Sequence, residues 1–162
     1  IGTNVDHKEN YTTVGAFGVV CCDPLFYISL KSTHHATAGI REEGFFSVNI
    51  PSLDMLKKTD YCGMISGKTT DKSKVFPSFY DALGNAPMIC EAPLNYLCKV
   101  VKSVPVNDFE VFFGEIVAAY SNADCMVEGA PDPLKINPIV GMAATYYALG
   151  PQIGKVFQEG KS

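Results

Sequence analysis

The amino-acid sequence predicts a mostly antiparallel β-barrel with a few short helices. Three observations point there. Runs rich in Thr, Val, Phe and Tyr recur at short intervals with turn signals between them. Two long runs, residues 94–104 and 109–120, face each other across one tight turn. The second of these is apolar on both faces beyond Val111, which suits a strand covered on both sides. Many strands at short spacing close most readily into a barrel, because closure removes exposed edges.

In chain order, residues 10–20 read as a strand, and Asp23-Pro24 supplies a turn into a second strand over residues 25–31. Thr33 is placed to cap a short helix through Ala36, Ala38 and Ile40 that stops at Gly44. Residues 45–50 resume as strand. Ser52, an early Asp54 and later Lys57 and Lys58 give the charge order of a second short helix. Residues 68–74 are charged and Thr-rich, and residues 77–93 lack any sustained period, so both read as loop with scraps of structure, a lid or an edge. After the long hairpin, residues 122–138 hold Gly129, Pro131, Pro133 and Pro138 and read as a surface connection. A strand over residues 145–149 and a helix starting at Pro151 complete the prediction.

The 162 residues carry no repeat and no Gly/Ser linker, so the expectation is one domain spanning 1–162. Because the first residue is Ile1 rather than Met, an upstream piece is expected to be missing. An apolar content of 47% excludes a disordered chain. A net charge of -4 without a Lys/Arg cluster argues against nucleic acid as a partner. Apolar runs are too short for a membrane span, so the chain reads as soluble. Six cysteines form no Cys-x-x-Cys pair, and they read as buried small hydrophobes in a reducing cytoplasm. A redox role for adjacent Cys21 and Cys22 is the alternative.

Two clusters can carry chemistry. Lys31, Ser32 and Thr33 sit where a strand gives way to a helix, so a cation, two hydroxyls and free N–H groups can converge on a phosphate. On the residues alone, an N-cap beside an exposed Lys is the plainer reading. Asn10, Thr12, Thr13, Val14, Gly15 and Ala16 lie along a segment whose small side chains let a flat ring approach the backbone. Its plainer reading is a bulge or barrel corner at Gly15 and Gly18. Asn49 is an amide amid apolar strand residues and needs a partner, either a ligand or neighbouring backbone. Lys72, at the end of the Ser66–Lys72 loop, can bring a second cation. His34 and His35 have no metal-ligand spacing, and no metal is expected; His35 can instead face a phosphate or a ring. Hydrolase, Walker and Rossmann motifs are absent from the sequence.

Four segments occur in fixed order: Thr-Thr-Val-Gly-Ala-Phe-Gly-Val-Val-Cys-Cys-Asp-Pro from Thr12, Ser-Leu-Lys-Ser-Thr-His-His from Ser29, Val-Asn-Ile-Pro-Ser from Val48, and Asp-Tyr-Cys-Gly-Met-Ile-Ser-Gly-Lys-Thr-Thr-Asp-Lys from Asp60. Further on come Glu91-Ala92-Pro93-Leu94 with Leu97-Cys98-Lys99-Val100, Phe113-Gly114-Glu115-Ile116-Val117, the Asp132, Lys135 and Pro138 spacing, and Tyr146-Tyr147 with Leu149-Gly150 and Ile153-Gly154. Together they resemble the flavin reductase-like family, which includes flavoredoxins. The resemblance implies an FMN-binding split β-barrel, usually a homodimer with its flavin sites near the subunit interface. Carried over by position, Asn10 and Thr13 to Ala16 lie by the flavin ring, and Cys22 and Asp23 lie by the following turn. Lys31 and Thr33 lie by the phosphate, and Asn49 and Lys72 complete the site. Ala36 stands where many relatives carry a hydroxyl, Ser32 replaces a common Pro or Lys, and no second proline follows Asp23-Pro24. The activity implied is an FMN-dependent oxidoreductase fed by NAD(P)H. The alternatives are a flavoredoxin-like electron carrier served by a redox protein, or a split barrel that binds a cofactor without catalysis.

Overall fold

A computed structural model describes residues 1–21 and 24–160. Its strands begin with β1 (Gly2–Val5), β2 (Lys8–Tyr11), β3 (Phe17–Val19) and β4 (Leu25–Lys31). Helix α1 (His35–Glu43) and strand β5 (Phe45–Ile50) follow, and a 3-10 turn at Leu53–Met55 leads into α2 (Leu56–Met64). Then come β6 (Ser78–Phe79), β7 (Met88–Ile89) and the long hairpin of β8 (Leu94–Val106) and β9 (Phe109–Ser121). The C-terminal part carries β10 (Met126–Val127), β11 (Ala130–Pro131), α3 (Pro133–Ile136), β12 (Ile139–Met142) and β13 (Thr145–Ala148). Among the described residues no helix is long and apolar enough to cross a membrane.

Seven strands form one antiparallel sheet in the order β2-β1-β5-β8-β9-β4-β3. Its two edges are consecutive in the chain, joined by the connector of residues 12–16. Laid flat, six strand spacings would put those edges about 29 Å apart. The chain from Tyr11 to Phe17 can span at most about 22 Å. The sheet therefore has to curl until its edges approach, giving a mostly β, split barrel open between β2 and β3. Register shifts at Leu97/Cys98 and Val100/Lys102 bend the β8–β9 ladder to that end.

The barrel interior is filled by Ile28, Leu30, Phe46, Cys98 and Phe112, with Ala36 and Ile40 of α1 packed onto them. Two glycines make this possible by having no side chain. A Cβ on Gly39 would overlap the Asn4 carbonyl oxygen, so α1 lies directly on β1. A Cβ on Gly114 would sit 2.7 Å from Phe46 Cζ and 2.9 Å from Cys98 Cβ, so the Phe46 ring crosses β9 there. Helix α1 ends as predicted at Gly44, whose left-handed φ of 70° lets its N–H reach the Ile40 carbonyl. Arg41 Nε donates to Glu110 Oε2 at 2.7 Å and ties the helix to β9.

Several expectations are corrected. Residues 10–20 do not form one strand; the chain leaves the ladder after Tyr11 and re-enters it at Phe17, because the barrel opens there. Strand β1 was not foreseen. Position 33 is not the cap of α1; His34 takes that place without a side-chain cap bond. The surface connection expected over 122–138 misses β10, β11 and α3, while the two-residue β6 and β7 are scraps of structure of the kind expected within 77–93. No helix starts at Pro151, where Ile153, Val156 and Phe157 are exposed and offer no buried face to stabilise one. In β9, Glu110, Phe112 and Gly114 are buried while Val117 is 48% exposed, so this chain covers one face of the strand and not both. Cys62, Cys98 and Cys125 are buried as expected, but Cys21 and Cys90 are exposed.

Replacing Gly114 by Val should destabilise the protein by about 1–3 kcal/mol through overpacking against Phe46. A Cβ at Gly15 meets nothing within 4 Å, so Gly15→Ala should leave stability within about 0.5 kcal/mol. Urea unfolding of both variants checks the contrast.

Candidate functional site

The site is built around the connector of residues 12–16. Thr12 N donates to the Ile1 carbonyl at 2.9 Å, continuing the β1–β2 ladder by one residue. Thr13 Oγ1 donates to the Thr59 carbonyl, and Lys72 Nζ donates to the carbonyls of Tyr11 and Cys62, each at 2.9 Å. A Cβ on Gly63 would lie 3.2 Å from Thr13 Cβ. Helix α2 and the loop after it are thus laid against the connector and hold it in place.

Two cavities flank the connector and share Thr12. One, of about 260 Å³, is polar and lies between the start of α1 and residues 63–67. The other, of about 420 Å³, is mostly apolar and is walled by Thr12 to Gly15, Phe17, Val48, Met55, Cys62, Phe76 and Tyr146. Nothing in the protein fills the space above Gly15 within 4 Å of its missing Cβ. Both volumes are of the order found for small-molecule sites.

The polar cavity gathers hydrogen-bond donors around one buried cation. Lys72, only 4% exposed, lines it, and burial pushes its ammonium below the usual Lys range. Among the described residues the ion pairs are Arg41–Glu110 and Lys58–Glu91, so no carboxylate neutralises Lys72. Thr33, His34, His35 and Ala36 also line the cavity. The Thr37 N–H bonds back to His34, while His35 and Ala36 present first-turn N–H groups that no cap side chain takes. Asn10 is 4% exposed, and among the described residues its side-chain amide has no hydrogen-bond partner. A Cβ on Gly67 would overlap the Asn10 amide oxygen and stand 2.8 Å from His35 Cδ2, so only glycine lets this loop close over them. Burial and the positive fields of Lys31, Lys72 and Lys68 push the His34 imidazole below its ordinary value.

The sequence-predicted residues separate into groups. Asn10, Thr12, Thr33, His35 and Lys72 meet at the polar cavity, and Thr12, Thr13, Val14, Gly15 and Asn49 line the apolar one. The Asn49 amide is satisfied within the protein: Nδ2 donates to Ser47 Oγ at 2.9 Å, and Oδ1 accepts from Ile89 N at 2.9 Å. Neighbouring groups, one of them backbone, therefore answer the partner question, and Asn49 pins β7 beside the cavity. Ala16 lines neither cavity; its carbonyl accepts from Ser29 N. Lys31 and Ser32 line neither, because the Lys31 carbonyl accepts from Thr37 Oγ1 and Ser32 N donates to the Asp108 carbonyl, fixing both at the strand end. Lys31 reaches the site only through its field at His34. Cys22 and Asp23 lie outside the described residues.

Sequence reasoning missed the far wall. Ile139, Gly141 and Tyr146 from β12 and β13 come to the apolar cavity, and Tyr146 OH bonds Asp60 Oδ1 of α2 at 2.7 Å. No local pattern signals a contact across that separation. His34, set aside as a metal ligand, lines the polar cavity beside His35.

A curled antiparallel sheet with one open seam, which here sets a cationic pocket against an apolar one, is the frame of a split barrel. The chain matches the flavin reductase like domain over residues 1–134, and it belongs to that family. It is similar to the crystal structure of flavoredoxin from Methanosarcina acetivorans, with 39% identity and a TM-score of 0.95 over 99% of this chain and 88% of that one. It is also similar to flavoredoxin of Desulfovibrio vulgaris (Miyazaki F), with 28% identity and a TM-score of 0.91 over 99% and 90%. An FMN-binding protein from Thermus thermophilus, 18% identical with a TM-score of 0.83 over 95% and 86%, shares the fold. An uncharacterized protein of Archaeoglobus fulgidus is 29% identical over 110 residues, which are 67% of this chain and 62% of that protein's length.

The lowered His34 value has a sign that can be checked. The unfolded chain takes up the proton first, near 6.5, so stability is greatest above that pH and falls on acidification toward the folded-state value. NMR titration should place the His34 midpoint below 6.5, and Lys68→Gln should move it upward. A midpoint at or above 6.5 would contradict the cationic surround.

Proposed function

We propose that this chain binds FMN, with the phosphate in the polar cavity and the isoalloxazine ring over the connector in the apolar one. One observation carries the reading: a buried cation without a carboxylate partner stands beside uncapped helix N–H groups, in a cavity that meets an apolar cavity at Thr12. The donor set suits a phosphate dianion, with Lys72 as the cation and Thr33, Asn10 and the His35 and Ala36 N–H groups as hydrogen-bond donors. The apolar walls suit a tricyclic ring, and the small residues from Thr12 to Gly15 leave it access to the backbone. When bound, FMN supplies hydride and electron transfer. The chain's own residues anchor the phosphate, orient the ring edge and keep water from one of its faces.

The activity proposed is that of a flavin reductase-type oxidoreductase that takes hydride from NAD(P)H, in the cytoplasm, where the buried thiols stay reduced. A second reading, a flavoredoxin-like carrier reduced by a protein partner without nicotinamide, is favoured by the 39% identity with a flavoredoxin. Anaerobic mixing of FMN-loaded protein with NADH or NADPH separates them. Bleaching of the flavin absorbance supports the reductase, and unchanged absorbance supports the carrier.

Calorimetric titration tests binding itself. FMN should bind at least about tenfold tighter than riboflavin, because charge-assisted hydrogen bonds to phosphate are worth roughly 1.5–3 kcal/mol. Thr33→Val should erase part of that difference while leaving riboflavin affinity nearly unchanged. Equal affinity for FMN and riboflavin would refute the phosphate assignment.

A homodimer is proposed as well, supported by the family resemblance and by an uncovered apolar strip. Val101, Val106, Phe109 and Val117 of the long hairpin are all exposed in the single chain. Light scattering at micromolar concentration should give twice the chain mass of 17.5 kDa, and a strict monomer would overturn this.

A further inference from the structure

The far wall of the apolar cavity is the least supported part of the fold. Among the described residues, β12 and β13 pair only with each other, and a two-stranded hairpin is marginal in water without a larger sheet beside it. Ile139, Gly141 and Tyr146 line the cavity, while Val140, Met142 and Tyr147 stay exposed. The tip is a two-residue turn in which Ala143 and Ala144 take φ of 50° and 57°. That left-handed backbone crowds each alanine Cβ against the following carbonyl, and it suits Asn-Gly instead. The base is firmer. Ile139 N donates to the Pro51 carbonyl and Leu53 N to the Asn137 carbonyl, each at 3.1 Å. Beyond β13, Ile153, Val156 and Phe157 are exposed rather than packed on the barrel.

We propose that the β12–β13 hairpin is a lid over the apolar cavity, latched by Tyr146 OH on Asp60 Oδ1, and that it opens by coming apart while the barrel stays folded. The latch bond, 2.7 Å long, ties the returning strand to α2. Tyr146 is exposed and Asp60 half-buried, so water competes for both partners and the bond holds less firmly than a buried one. Strain at the tip and the missing neighbour strand also oppose closure. Opening the hairpin therefore takes less free energy than unfolding the seven-stranded sheet. Closed, the lid completes the cavity wall at Tyr146; open, it admits a flat molecule without disturbing the connector of residues 12–16. This goes beyond the flavin reading, since it governs access to the cavity whatever ring enters.

Cys62 reports the opening, because it lines the same cavity and is only 3% exposed. Cys98, buried in the barrel interior, reports unfolding of the whole. The purified protein and its variants, at flavin content matched by visible absorbance, are alkylated with iodoacetamide, and peptide mass spectrometry follows each thiol. In the parent protein Cys62 should react at least about tenfold faster than Cys98. Tyr146→Phe should speed Cys62 at least about threefold by removing the latch bond. Ala143→Asn combined with Ala144→Gly should slow it at least about threefold by relaxing the tip. The tip variant stabilises the fold, so its result stands even if Tyr146→Phe fails to fold. A smaller ratio of Cys62 to Cys98 rates shows that the thiol is reached only through wider unfolding. A smaller change on relaxing the tip, or on removing the latch from a folded protein, shows that it is reached by another route, and each of these results overturns the lid.

Discussion

The structure depends on one constraint: a short connector has to join the two edges of a seven-stranded sheet. Five residues cannot cross a flat sheet of that width, so the strands curl and the seam stays open where they fail to pair. An open seam leaves backbone groups in search of partners. Here they find them in α2 and the loop beyond, through Thr13 on Thr59 and Lys72 on Tyr11 and Cys62. Those bonds put a buried ammonium where two cavities meet, so the device that closes the barrel also charges the site.

The charge has a thermodynamic consequence. A buried Lys that satisfies carbonyls but faces no carboxylate is held at the expense of its hydration, and its lowered pKa records that strain. The phosphate proposed above would relieve it, with helix N–H groups and Asn10 supplying directional bonds. Net charge cannot foretell this, since the chain as a whole is acidic. What matters is that, among the described residues, Lys72 has no ion-pair partner. The apolar cavity would contribute to the proposed ligand in another way, by removing a flat surface from water, with affinity that grows with the area covered.

The legible parts of the sequence were those fixed by local periodicity and turn chemistry. Two long β-rich runs and a tight turn exposed the β8–β9 hairpin, and Gly44 ended α1 where a left-handed residue was required. The small residues from Thr12 to Gly15 and the Ser66–Lys72 loop were also visible, and the structure brings parts of both to the same place. What stayed hidden was set by tertiary geometry. The break after Tyr11 follows from barrel closure, which no local pattern encodes. Lys31 looked better placed than Lys72 because it sits beside the helix start, yet its strand carries it to the outside. Tyr146 joins the site across a long stretch of chain, and Asn49 proved to be a strut because β7 happens to pass its amide. The exposed face of β9 shows the same limit, since an apolar strand does not reveal whether its own chain or another copy covers it.

The central claim is that a single amphiphilic nucleotide spans the cradle and the connector cavity through Thr12. Amide chemical-shift mapping of the protein with FMN and with riboflavin tests it most directly. With FMN, shifts should appear both at His35, Ala36 and Gly67 and at Thr12 to Gly15, whereas riboflavin should move the second group alone. Shifts confined to other surfaces, or the same pattern from both ligands, would contradict it.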